Sequence, residues 1–303
     1  MKRTSKTGHK YHKTRSYRLV IAALIFAILV NSPAVGARSY DDIIEKGEIS
    51  IAVYRDFPPF SYLKAGKLIG IDVDIAKHIA QQMNIKVNII QQTADENVDD
   101  DLRNAIWKGH YLGGAVSDLM LHVPYDRELA LRNNLVVLFG PYMKEEIVAA
   151  RNIKKLGKNA TLALFRYEKI AVELDSMADL YLTGVFGGTI RPNVLHFKTN
   201  EEAGLATQNG ESAGMMGPRS QVEFALADKI SAFDIGVVPT PGMIKPHWLI
   251  GAAVKNDYRQ LGYAVEDILA SMVRDGTMGA LFQKQGVTYT ASGLEYFSST
   301  DQQ

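Results

Sequence analysis

The stretch Ile51-Ala52-Val53-Tyr54-Arg55-Asp56-Phe57-Pro58-Pro59-Phe60, with Gly66-Lys67-Leu68-Ile69-Gly70-Ile71-Asp72-Val73-Asp74-Ile75 close behind it, constrains this chain more than any other feature. Ile49, Ile51 and Val53 alternate with Ser50 and Ala52, which is the two-residue period of a short strand. The strand runs into an aromatic and proline-rich loop, a glycine turn follows, and a helix opens on an acid. Ile75, Ile79 and Met83 repeat at helical spacing and predict a helix over 72–84. Residues 86–90 read as the next strand, and 102–108 as a helix closed by Gly109. Strands alternating with helices imply an α/β lobe on a largely parallel sheet.

Further along, 118–124 reads as a strand leaving for a turn, and 136–142 and 147–150 are apolar and β-prone. Residues 161–165 read as the strand that opens a second lobe. Pro239, Pro241 and Pro246 argue against a long helix over 238–251. From Gln260, the residues Leu261, Ala264, Val265, Ile268, Leu269 and Met272 fall on one helical face. Asp275-Gly276 ends that helix with glycine as a left-handed cap, and a last short helix over 278–285 stops at Gly286.

The chain begins with a basic run over 2–18, an apolar run of 12 residues over 19–30, and then small residues at Val35, Gly36 and Ala37. This layout predicts an export leader removed after Ala37; a membrane span needs about 20 apolar residues. Residues 1–37 hold seven Lys or Arg and no acid, so a chain beginning at Arg38 keeps 27 basic against 33 acidic side chains, a net of −6. That balance argues against nucleic acid as a partner and gives no basic face for a membrane. With no cysteine, disulfides, thiolate metal sites and a cysteine nucleophile are excluded.

The aromatic loop with Gly70-Ile71-Asp72-Val73-Asp74, and Arg274-Asp275-Gly276-Thr277-Met278-Gly279 near the end, resemble the bacterial extracellular solute-binding proteins of family 3. The resemblance covers most of residues 47–290. It implies a two-lobed α/β type II periplasmic-binding-protein fold with a ligand cleft between the lobes. It divides the chain into a signal peptide over 1–37, a first part of lobe 1 over 38–147, lobe 2 over 148–240, and a crossover and return to lobe 1 over 241–303. The first hinge is placed near 145–149.

Such a cleft is expected to hold its ligand with an aromatic, an arginine on a carboxylate and an acid on an ammonium. Tyr54, Phe57 and Phe60 supply the aromatics, Phe57 matching the stacking position best. Arg127, in Tyr125-Asp126-Arg127-Glu128, matches the arginine. Asp118, at the start of that segment, and Met216 and Arg219, flanking Gly217-Pro218, complete the ligand-binding set. The position of the ammonium's acid falls at or next to Pro218. Without that acid, an amino acid's ammonium would be buried unpaired, so the resemblance points to an anionic ligand other than a standard α-amino acid, delivered to an inner-membrane ABC permease.

Asp118 to Asp126 and Met216-Gly217-Pro218 also resemble a branch linked to periplasmic quinoprotein dehydrogenases, with Met216 where that branch has Trp. This implies the alternative of an accessory protein of such a dehydrogenase. A third reading follows the periplasmic cyclohexadienyl dehydratases, which would need a buried acid such as Glu173 or Glu223. No catalytic residue, metal site or cofactor fingerprint is assigned. The acidic run over 95–101 lacks the spacing of a calcium loop and reads as a helix start. Of the histidines, His122, at a strand end beside the expected cleft, is singled out.

Overall fold

A computed structural model describes residues 37–294 apart from residues 112 and 114. The expected signal peptide, except Ala37, and the polar tail over 298–303 lie outside the described residues.

Helix α1 (Tyr40–Lys46) opens on a capping box: the Ser39 hydroxyl accepts from the Asp42 N–H, and the Asp42 carboxylate accepts from the Ser39 N–H. Strand β1 (Glu48–Tyr54) follows, with Ile49, Ile51 and Val53 fully buried. A hairpin of β2 (Tyr62–Lys64) and β3 (Lys67–Ile69) leads into α2 (Ile71–Gln82), whose Ile71, Ile75 and Ile79 pack on β1. Gly70 stands at φ 132° against the aromatic loop; a Cβ there would lie 2.2 Å from the Phe60 carbonyl oxygen. Only glycine allows that approach, and it lets the Asp72 N–H donate to the Phe60 carbonyl.

Strand β4 (Lys86–Gln92) and β5 (Leu119–Pro124) both pair with β1 in parallel. Between them the acidic run starts helix α3 (Val98–Leu102). The Asn97 side chain caps it, with Asp99, Asp100 and Asp101 in the first turn, where carboxylates offset the helix dipole. The helix expected over 102–108 begins earlier and changes into a π-helical turn at Arg103–Trp107. Helix α4 (Arg127–Arg132) follows β5 and is capped by Asp126.

Strand β6 (Val136–Asn152) runs 17 residues and changes partners along its length. Its residues from Val136 to Glu146 pair antiparallel with β11 (His247–Lys255), which also pairs with β5. From Ile147 onward it pairs with β9 (Gly214–Pro218), and from Ala149 also with β10 (Phe233–Gly236). Strands β9, β7 (Ile170–Glu173) and β8 (Val194–Phe197) are parallel to one another. Among the described residues the sheet therefore runs β4-β1-β5-β11-β6-β9-β7-β8, with β10 on β6: two parallel sets joined through an antiparallel pair.

The second set carries α5 (Met177–Gly184), α6 (Asn200–Gln208) and α7 (Arg219–Leu226). Residues 161–165, expected as its first strand, form a 3₁₀ turn at Leu162–Arg166 instead. Leu162 and Phe165, three residues apart, are the buried pair, and that spacing suits a turn rather than the alternation of a strand. The predicted amphipathic helix is α8 (Arg259–Arg274), burying Leu261, Val265, Leu269 and Met272; α9 (Thr277–Lys284) closes the described fold. Each set has its own apolar core, and Trp248 on β11 packs against both.

Candidate functional site

A cavity of about 170 Å³ opens where the two parallel sets face each other at the β6–β11 junction. Tyr54, Phe57, Phe60, Val98, His122, Pro124 and Ile250 line it from the first set, Pro218 and Gln221 from the second, and Glu145 and Trp248 from the junction.

The aromatic loop reaches this cavity with Tyr54, Phe57 and Phe60. Phe57 stacks on Phe60 at 5.2 Å between ring centres and meets Tyr54 edge-on at 5.9 Å. Phe60 is fully buried, whereas Phe57 keeps part of its face open. The Tyr54 hydroxyl donates to Asp101 at 2.8 Å; burial first, and then the Asp101 charge, push it well above the usual tyrosine range. It is a fixed donor to a carboxylate, and its ring is the part left for the cavity.

His122 sits in β5 with φ 60°, a left-handed conformation rare for a residue with a side chain. Its ring packs on Phe60 at 4.1 Å and on Phe57 at 4.9 Å. Its Nδ1 lies 3.2 Å from the fully buried Asp72 carboxylate, which also accepts from the Tyr142 hydroxyl. The same Tyr142 oxygen accepts from the His122 N–H.

Glu145 is 4% exposed. One of its oxygens accepts from the Ser220 hydroxyl and the other from the Glu146 N–H. Burial pushes its carboxyl above the usual range, and those hydrogen bonds and nearby His122 pull the other way. The cavity thus has an aromatic wall, one carboxylate and one imidazole, and no lysine or arginine in its lining.

Four sequence-assigned residues stand elsewhere. Asp118, 1% exposed, is at the opposite end of β5 from the cavity. It accepts from the Arg38 guanidinium, the Arg38 N–H, the Ser50 N–H and the Ser50 hydroxyl, so its lone pairs are spent on the fold, and it is outside the cavity lining. Met216 is fully buried in the second core, because β9 is an interior strand of the sheet. Arg127 opens α4 with its side chain exposed, outside the cavity lining. Arg219 is held by Glu146 at 2.7 Å and Glu223 at 3.2 Å, so its charge is already balanced. Neither arginine lines the cavity.

The carboxylate in the cavity lining is Glu145, from the charged run Lys144-Glu145-Glu146 inside the apolar stretch Pro141–Ala150, where the sequence placed only a hinge. Trp248 and Gln221 carried no signal of their own. Glu173 donates nothing to the cavity either: its carboxylate accepts from Asn200, and Glu223 accepts from Arg219 and the Thr288 N–H.

A cavity between two α/β halves joined by shared strands defines the class: this is the two-lobed type II periplasmic-binding-protein fold. Residues 49–105 match the model of the bacterial extracellular solute-binding proteins, family 3, so the first lobe carries that family's signature. A relative in Chlamydia trachomatis, the "Probable ABC transporter arginine-binding protein ArtJ", is 21% identical over 76% of this chain and 82% of its own. The cyclohexadienyl dehydratase of Pseudomonas aeruginosa is 30% identical over 96 residues, which are 28% of this chain and 36% of that enzyme. An ancestral cationic amino acid solute binding protein superposes with a TM-score of 0.64 at 21% identity, over 81% of this chain and 98% of its own.

Proposed function

We propose that this protein is an exported solute-binding protein of the amino-acid ABC-transporter type, and that its cleft closes on a small solute with a cationic nitrogen and an apolar part. One observation carries the reading: the buried Glu145 carboxylate stands in a cavity whose lining has no lysine or arginine. A buried carboxylate gains most from a cation that replaces its lost water. Phe57 and Trp248 offer faces on which a cation or a flat group stacks. The arginine and cationic amino acids named for the relatives are ligands of this kind.

Closure would rotate the lobes, divided at 147 and 240, about β6 and β11 where β6 changes partners. Glu173 and Glu223, the acids considered for elimination, are engaged by Asn200 and by Arg219 and Thr288 outside the cavity lining. The accessory-protein reading rested on Asp118 to Asp126 and on Met216-Gly217-Pro218; of these, Met216 is a core residue with no surface to offer a dehydrogenase.

Isothermal titration with L-arginine, L-lysine and L-glutamate tests the proposal. We expect micromolar or tighter binding of a basic amino acid, lost in Glu145→Gln. Preferential binding of glutamate, or binding indifferent to Glu145→Gln, would overturn it.

A further inference from the structure

The buried acid at the base of the first lobe is not used by the cleft, and its partners are unusual. Asp118 takes three hydrogen bonds from one residue, Arg38: from the guanidinium at Nε and Nη2, and from the backbone nitrogen at 3.0 Å. Arg38 also donates to the Glu48 carbonyl, which fixes its side chain along β1. Ala37, just before it, is 8% exposed. The basic, apolar and small-residue layout of the leader ends at that same Ala37.

We propose that Asp118 is the receptor for a new chain terminus, the α-ammonium of Arg38 released when a signal peptidase cuts after Ala37. The hydrolysis consumes one water. The Ala37 carbonyl carbon takes the hydroxyl and leaves as a carboxylate, while the Arg38 nitrogen takes the proton and is an ammonium at neutral pH. The cut precedes folding, because folding buries Ala37. The nitrogen that donates to Asp118 as a neutral amide then donates as a cation, which adds a Coulombic attraction to the carboxylate's charge. Only the processed chain has it, so export and the stability of the first lobe are linked. The inference rests on removal of the leader and is independent of the ligand reading.

The backbone nitrogen donates to Asp118, and the charged groups around the neighbouring guanidinium are Asp118, Glu48 from β1, itself facing Lys46, and Asp42 from α1. A carboxylate partner raises the ammonium's pKa above its unfolded value. Its stabilisation is therefore complete below about pH 7.7 and disappears as pH rises through the higher folded-state value.

The experiment has two arms. Intact mass and N-terminal sequencing of the exported protein should find Arg38 first; another terminus overturns the assignment. Mature chains beginning at Arg38 and at Gly36 are then melted at pH 7 and at about pH 10.5, where a free α-amine is neutral. We expect the Arg38 chain to melt about 2–4 °C higher at pH 7, the shift of about 1 kcal/mol in a chain of this size, with the two coinciding at high pH. Equal melting at pH 7, or a difference that survives at high pH, overturns the proposal. Asp118→Asn in both chains should erase the difference, and the pH arm decides alone if that variant does not fold.

Discussion

The parallel pair β1 and β5 has a buried acid at each end of the first lobe, and the two ends are finished differently. At the base, Asp118 meets a guanidinium that is always charged, and its oxygens are filled by Arg38 and Ser50. At the cleft, Asp72 faces His122 at 3.2 Å, and one Asp72 oxygen and the His122 Nδ1 have no well-formed hydrogen bond between them. Close by, Glu145 is buried with no lysine or arginine bridge among the described residues, and only His122 near enough to attract it. At the base both Asp118 oxygens are filled, and the orphan is a donor instead, the buried Nη1 of Arg38. The cleft is left incomplete in a place where a solute can enter. Both acids are nearly invisible to solvent, so burial does not separate a scaffold carboxylate from a binding one; the state of its partners does.

The largest effect that would break this comparison is at the base. Asp118→Ala should destabilise the protein by about 3–5 kcal/mol, since it strands a largely buried arginine. Urea unfolding measures this, and the solute affinity of the folded fraction should be unchanged. A fall in affinity without a fall in stability would move Asp118 to the cleft's side of the comparison.

Glu145→Gln should act in the opposite sense. Removing one member of a buried charge pair should weaken a cationic solute by about 2–5 kcal/mol, read by titration calorimetry. The solute-free protein should be no less stable near neutral pH. The sign follows from linkage: a carboxyl held above its unfolded value opposes folding while charged, and the penalty is relieved as pH falls through the folded-state value. The wild-type protein should accordingly gain stability relative to Glu145→Gln as pH is lowered through that value. A variant both unstable and fully active in binding would merge the two ends.

Phe57→Ala should weaken binding by about 1 kcal/mol through loss of an aromatic face, and the smaller loss sharpens the division between wall and carboxylate. Arg127→Ala should change affinity and stability by no more than about 0.5 kcal/mol, as an exposed substitution does. A loss of 2 kcal/mol or more would restore the carboxylate grip that the sequence suggested and bring an anionic ligand back.

Much of the first lobe was legible because its residues carry periodic signals. Ile49, Ile51 and Val53 gave β1, Ile75 and Ile79 gave α2, and the stripe from Leu261 to Met272 gave α8. Gly70 was legible only as part of a glycine turn; its close approach to the Phe60 carbonyl came from the structure. Residues 161–165 misled because a short apolar run fits strand and turn alike. The partners of Arg219 and Asp118 were illegible for another reason. A charged residue in a segment says nothing about who neutralises it, and the partners were distant: Glu146 is 73 residues from Arg219, and Asp118 is 80 from Arg38.

The sequence by itself determined the alternation of strand and helix, the aromatic loop and its family signature, and so the two-lobed fold. These are encoded over a few turns of chain, where periodicity and turn chemistry act. The tertiary structure alone decided which acid belongs to the cleft. Hydrogen bonding and desolvation depend on groups that the sheet order brings together through β11 and β6, and no local pattern records that Glu145 comes to lie among Phe57, His122 and Trp248 while Asp118 is sealed beneath them.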